Sequence, residues 1–354
     1  MTALSLMPDP VPFGSRGETF ALGAFRTERG EVIDDAVLRY RVFGDREAAR
    51  RNGWILVFHA LTGSADLDDW WAPLLGPGRP LDTERHAIVC ANLLGSCYGS
   101  SGPARQRSGA FPALTTADLA RAHGPLLAHL GVERLALVTG GSLGGMVALQ
   151  WGRCSPVPVD ALVVLAAPAA TSAQAIAWNA AQRMAIEADP AWRRGRYAPG
   201  RGPSHGLAAA RAIAMITYRS HVEFGVRFAR RHGTRRDDRF DVEHYLRRHG
   251  EKLVARFDAR SYVALMGAMD RHDVGDLAAS ARETAARVRR VVGVGIDTDI
   301  LYHPEEVRRW VAAYAAAGVP ATYADVATPY GHDAFLIEFG QVAAIVDTAM
   351  GRTR

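Results

Sequence analysis

Lysine is almost missing from this chain: of 42 basic residues among 354, only Lys252 is a lysine. The remaining cations are arginines spread from Arg16 to Arg354, and the formal net charge is +5. A nucleic-acid surface concentrates its cations into one stripe. The densest stretch here, Arg227 to Arg239, is interrupted by Phe228, Asp237 and Asp238, and reads as a solvated helix end and loop. No nucleic-acid partner is expected. Cysteine is also scarce. Cys90, Cys97 and Cys154 form an odd set without metal-ligand spacing, which excludes a disulfide framework and a zinc site and points to a reducing compartment. Met1 to Phe13 lacks a positively charged segment and carries three prolines, unlike a signal peptide. The least charged long run, Ala161 to Trp178, contains Pro168 and several polar residues, so no membrane span is expected. Internal repeats and low-complexity linkers are absent. The expected location is cytoplasmic.

What is present is a large apolar fraction, 48% of residues, cut into short β-branched runs separated by helical patterns. That alternation is the mark of a mostly parallel sheet covered on both faces. Strands are expected near Phe20 to Phe25, Val37 to Phe43, Trp54 to Ala60, Ala87 to Asn92, Leu135 to Thr139, Ala161 to Ala166, Val291 to Ile296 and Thr322 to Val326. The first two lead without a helix into the third, as in an antiparallel edge. Helices fit Thr116 to Leu130, Leu143 to Arg153, Pro304 to Ala317 and Ala334 to Met350. Between the sixth and seventh strands the pattern turns purely helical: Ala173 to Ala188, Leu207 to Arg219, His221 to Arg231, Val242 to Phe257 and Ser261 to Met269. The chain thus divides into a core of residues 1–170 and 288–354 and a helical insertion of residues 171–287. An insertion at that point overhangs the carboxyl edge of the sheet, where open α/β folds place their sites, so it is a candidate lid.

Leu137 to Gly145 reads Leu-Val-Thr-Gly-Gly-Ser-Leu-Gly-Gly, a strand running into a G-x-S-x-G turn on Gly140, Ser142 and Gly144. Glycines two before and two after the serine let a strand reverse sharply into a helix, which leaves Ser142 exposed above the sheet as a nucleophile. Serine needs a base to take its proton and the base needs an acid to hold its tautomer. Both follow in chain order. Gly295-Ile-Asp-Thr-Asp-Ile-Leu301 offers Asp297 and Asp299 after the seventh strand, and Thr328-Pro-Tyr-Gly-His-Asp-Ala-Phe-Leu336 offers His332 on a loop after the eighth. Of the two aspartates, Asp299 is favoured as the acid, with Asp297 as a cap or turn residue. An oxyanion would be held by the Leu143 N–H and by one from the loop after the third strand, His59-Ala-Leu-Thr-Gly63; backbone donors leave little trace in side-chain identity, so the choice of Leu61 within that loop rests on the resemblance below.

Several segments together resemble the homoserine O-acetyltransferase family. They are His59-Ala-Leu-Thr-Gly-Ser64; Trp70-Trp71 with Gly76-Pro-Gly and Leu81-Asp-Thr83; Asn92-Leu-Leu-Gly-Ser-Cys-Tyr-Gly-Ser-Ser-Gly-Pro103; Gly140 to Met146; Ile216-Thr-Tyr-Arg-Ser220; Thr298 to Leu301; and Gly331-His-Asp-Ala-Phe-Leu336. The match spans nearly the whole chain. The resemblance implies an α/β-hydrolase fold with an eight-stranded, mostly parallel sheet and a helical lid between strands 6 and 7. It implies Ser142, Asp299 and His332 as the catalytic residues, Leu61 and Leu143 as oxyanion donors, and Arg211 and Tyr218 as lining of the acceptor site. Asp333 matches the aspartate expected to hold the substrate ammonium. It implies no permanently bound cofactor or metal, acetyl-CoA as the acyl donor, and a homodimer formed through the helical insertion.

The chemistry that follows is a double displacement: acetyl-CoA acylates Ser142, and the hydroxyl of L-homoserine then takes the acyl group, a step of methionine biosynthesis. Relatives differ in using succinyl-CoA or serine, and Tyr98 is associated with the homoserine-acetylating branch. The chain departs from the family in having Ala65-Asp-Leu-Asp-Asp69 where a histidine often stands, and in an irregular Ala191 to Pro203 segment. An esterase or thioesterase would use the same three groups with water as acceptor. A catalytically silent scaffold would have lost one of them, and none is lost.

Overall fold

The computed structural model describes residues 16–105, 110–232 and 238–352. The N-terminal segment Met1 to Phe13 and part of the Arg227 to Arg239 stretch lie outside the described residues. One sheet runs in the order β1-β2-β4-β3-β5-β6-β7-β8. Its strands are β1 Glu18–Arg26, β2 Val32–Gly44, β3 Trp54–Phe58, β4 Ala87–Ala91, β5 Leu135–Gly141, β6 Leu162–Leu165, β7 Val291–Ile296 and β8 Ala321–Val326. β1 pairs antiparallel with β2 and β2 with β4, while every other pairing is parallel. From β3 to β7 each strand is buried along its whole length, which is why these segments read as continuous apolar runs rather than alternating ones. Alternate residues still separate two cores. Leu56 and Val138 pack with Val147 and Trp151 on one face, and Ile55, Val57 and Val163 pack with Val346 on the other.

The helices are α1 Arg46–Asn52, α2 Leu67–Trp70, α3 Thr116–Arg121, α4 His123–His129 and α5 Leu143–Cys154 before β6. Between β6 and β7 come α6 Ala173–Glu187, α7 Ser204–Thr217, α8 His221–Arg227, α9 Asp241–Val254, α10 Ala259–Asp270 and α11 Leu277–Ala285; α12 Pro304–Ala316 and α13 Phe339–Ala349 flank β8. α7 packs against α6 and α9, and α10 against α6. α11 instead packs on α5 and α12, in the layer that covers the sheet, so the helical cap proper runs from α6 to α10. Met184, Val226, Val222 and Ile216 are exposed apolar side chains on this cap.

Three expectations change. A helix, α1, does intervene between the second and third strands. Asp45 caps it by accepting from the Glu47 and Ala48 N–H groups, the start signal of a short helix. The helix expected over Thr116 to Leu130 is interrupted at Ala122. Pro125 has no N–H for the Arg121 carbonyl, and the His123 ring nitrogen takes the Leu119 carbonyl at 2.8 Å. The helix expected from Ala334 is split between a 3₁₀ turn over Gly331–Leu336 and α13, so His332 stands on that turn rather than on an open loop. Among the described residues no helix is long and apolar enough to cross a membrane.

Candidate active site

The turn from β5 into α5 is built on close backbone approach. A Cβ on Gly144 would lie 2.2 Å from the Phe58 carbonyl oxygen, and one on Gly140 would lie 2.5 Å from Gly144 backbone atoms. These contacts force Ser142 to φ 57°, ψ −124°, a left-handed conformation that a serine adopts only under constraint. Ser142 also donates its N–H to Leu165 O at 3.0 Å, which ties the strained residue to β6. The next turn of chain toward the site comes from the far edge of the sheet: a Cβ on Gly141 would meet the Phe335 ring at 2.5 Å, so the His332 turn packs directly on the elbow.

Asp299 follows β7 and His332 follows β8. His332 Nδ1 donates to Asp299 Oδ2 at 2.6 Å, while Asp299 Oδ1 accepts from the Leu301 and Tyr302 N–H groups at 2.8 and 3.0 Å. The carboxylate is therefore fixed on both oxygens and its charge is directed at the imidazole. Burial of His332 disfavours its charged form, but the charge and hydrogen bond of Asp299 outweigh it, and the pKa lies above the ordinary imidazole value. The rings of Tyr302, Tyr218 and Phe335 enclose His332 at centroid distances of 5.2, 5.7 and 5.8 Å. Its Nε2 is buried and, among the described residues, bonded to nothing. Asp297, the other aspartate of the segment, accepts from the Thr328 N–H at 2.9 Å and so ties the β7 loop to the β8 loop.

Leu61 and Leu143 sit at the ends of β3 and β5, the latter as the first residue of α5. Among the described residues no group accepts from either N–H. The loop carrying Leu61 is held by two residues of the segments His59 to Ser64 and Asn92 to Pro103 whose role pattern alone does not reveal. His59 donates from Nδ1 to Ala60 O at 2.8 Å and accepts the Leu93 N–H at Nε2 at 3.0 Å; burial pushes its pKa down to about 4. Asn92 accepts the Ala65 N–H at 2.7 Å and donates to Tyr98 O at 2.7 Å. A third support, Arg256, donates to Thr62 O at 2.7 Å and to Tyr98 OH at 2.5 Å. No sequence signal singles it out among so many arginines.

The cap delivers the remaining candidates. Arg211 on α7 lies over the Tyr218 ring, 5.3 Å from its centroid, and has no carboxylate partner among the described residues. Asp333 is not free in the same way: Arg219 reaches it with Nη2 at 3.2 Å while its Nη1 contacts Glu223 at 3.3 Å. Asp333 accepts this ion pair through Oδ2, so an ammonium group would have to share the carboxylate with Arg219. Arg219 sits inside the Ile216 to Ser220 segment, yet its role was not apparent from sequence. Among the described residues no cluster of three or more His, Cys, Asp or Glu could hold a metal ion.

A buried carboxylate–imidazole pair, a strained serine at a strand–helix turn and two unbonded N–H groups, all at the carboxyl edge of one sheet, define a serine-nucleophile acyl-transfer centre of the α/β-hydrolase type. A family model described as alpha/beta hydrolase fold matches residues 53–338. The homoserine O-acetyltransferase of Moorella thermoacetica is 42% identical over 350 residues, covering 92% of this chain and 93% of that one. The chain belongs to the homoserine O-acetyltransferase family. A crystal structure of homoserine O-acetyltransferase from Bacillus anthracis superposes with a TM-score of 0.84 at 21% identity, over 95% of this chain and 97% of that one. Esterase E22 superposes with 0.83 at 20% identity, over 94% and 99%. At these identities the two structures speak for the fold alone, and the fold is shared by a transferase and an esterase.

Proposed function

We propose that this enzyme transfers an acetyl group from acetyl-CoA to the hydroxyl of L-homoserine through an acyl-Ser142 intermediate. His332 Nε2 takes the proton of Ser142 Oγ as the oxygen attacks the thioester carbonyl. The oxyanion is held by the Leu61 and Leu143 N–H groups, the carbon–sulfur bond breaks, and the proton passes from His332 to the thiolate. The amino-acid hydroxyl then gives its proton to His332 and attacks the acyl carbon, and Ser142 leaves with the proton returned to it. Arg211 clamps the substrate carboxylate and Asp333 pairs with its ammonium. No cofactor is needed and the compartment is the cytoplasm.

The observation that carries this reading is the position of Arg211. Its guanidinium lies over Tyr218, whose ring packs on His332, so a cation without a carboxylate partner among the described residues is stationed one ring away from the base. Water as an acceptor needs no such group; an amino acid does. A matrix of acetyl-CoA and succinyl-CoA against homoserine and serine tests it. Release of CoA is expected to depend on homoserine with acetyl-CoA. Equal release without any amino acid makes the enzyme a hydrolase, and a faster reaction with succinyl-CoA or serine reassigns the donor or acceptor. Intact mass after acetyl-CoA alone is expected to show one acetyl adduct, absent from Ser142→Ala. A second copy of the chain covering Met184 and Val226 is part of the same proposal, read as molar mass by light scattering; a monomer removes it.

A further inference from the structure

A cavity of about 790 Å³ opens beside the oxyanion loop, its lining including Ser204 and Leu207 of α7, the helix that carries Arg211. Cys97, Tyr98 and Gly99 form one wall, and the segment from Val254 to Arg260 forms another; neither Ser142 nor His332 lines it. Its charged lining is one-sided. Arg39, Arg105, Arg256 and Arg260 face it with a single carboxylate, Asp258, which already pairs with Arg260 at 3.2 Å. A cleft with that imbalance and partly apolar walls concentrates field on an anion. It is also mechanically joined to the reaction centre. Arg256, in the cavity wall, donates to both the carbonyl and the hydroxyl of Thr62, the residue after Leu61.

We propose that this cavity receives the phosphate groups of the acyl donor, with Arg105 and Arg260 as direct contacts and Arg256 as a positioning residue between donor and oxyanion loop. The inference rests on the donor being a CoA thioester. A thioester carried on a long flexible arm allows the phosphates to sit in one chamber while the carbonyl reaches Ser142 in the next. Guanidinium forks suit phosphate oxygens, and the excess of arginines over carboxylates among the described lining residues suits a ligand carrying several negative charges.

The test compares acetyl-CoA with S-acetylpantetheine, a donor of the same acyl group and arm without the adenosine phosphates. In Arg105→Ala and in Arg260→Gln the ratio of kcat/KM for acetyl-CoA over S-acetylpantetheine is expected to fall about tenfold relative to the wild type, the loss of one charge-assisted contact. For the wild type, added salt is expected to raise KM for acetyl-CoA and not for the phosphate-free donor. An unchanged ratio in both variants overturns the proposal. Arg256→Met is expected to lower kcat with both donors alike, and an effect confined to the KM for acetyl-CoA overturns its link to the oxyanion loop. Calorimetry with free CoA separates this inference from the functional reading beneath it. Tight binding that weakens in Arg105→Ala supports the cavity even if no acetyl transfer is found, and absence of CoA binding to the wild type refutes it.

Discussion

The two edges of the sheet are built from the same residue types and treat them in opposite ways. At the amino edge, His86 precedes β4, and both of its ring nitrogens are engaged: Nδ1 donates to Gly53 O at 2.8 Å and Nε2 accepts from Arg352 at 2.7 Å. Burial keeps its pKa below the ordinary imidazole value. Arg352 also donates to Pro80 O at 3.0 Å, and Arg290 to the carbonyls of Thr348 and Ala349 at 3.2 and 3.0 Å. These guanidiniums tie the end of α13 to the segments that lead into β4 and β7. At the carboxyl edge, His332 uses only one nitrogen among the described residues, its pKa is raised rather than lowered, and Arg211 has no carboxylate among those residues to hold. A histidine with both nitrogens engaged is structural. One with a buried nitrogen left open, beside a cation left open, is ready for a substrate.

The contrast can be broken most severely at Asp299. Asp299→Asn removes the charge that holds the His332 tautomer and is expected to lower kcat on the order of 10⁴-fold. The pH profile sharpens the point. Activity needs His332 neutral, so in the wild type it falls as pH drops through a value above the ordinary 6.5, the pKa being raised. In Asp299→Asn burial is opposed only by the smaller effect of the Asp333 charge, and the acid limb is expected to move to lower pH; a limb that stays in place would mean another group titrates there. A smaller effect is expected from Arg211→Ala, a rise of about ten- to a hundredfold in KM for homoserine with the rate of Ser142 acylation by acetyl-CoA retained. Unaffected acceptor kinetics would take Arg211 out of the site. The smallest effect belongs to the other edge. Arg352→Ala leaves His86 Nε2 without its donor and is expected to cost about 1–3 kcal/mol in denaturant unfolding while kcat and KM stay unchanged. A kinetic effect there would erase the distinction between the edges.

How far the sequence could be read follows the same division. Strands β3 to β7 were legible because both faces are buried and the segments carry unbroken apolar runs. The turn at Ser142 was legible because steric exclusion leaves only glycine at Gly140 and Gly144. The paired Asp299 and His332 were legible from chain order, and the candidate acceptor residues only through resemblance. What stayed hidden was side-chain pairing across long separations. Nothing in the linear order shows Arg219 of the cap reaching Asp333, or Arg256 reaching Thr62. The same arginines that look like compositional bias supply these ties, and only the fold distinguishes them. The break at Ala122 was written in Pro125 and was passed over because the apolar period continues through it.

The cap and the His332 turn are fastened to each other at several points. Ser220 Oγ donates to Pro329 O, Asp333 N donates to Tyr218 O at 3.3 Å, and Gly331 lies so close beneath Ser220 that a Cβ there would be 2.7 Å from the Ser220 nitrogen. The cover is therefore in register with the element that carries His332: one set of contacts both encloses the site and places the imidazole, so a change in cap packing is felt at the catalytic turn as well as at the rim.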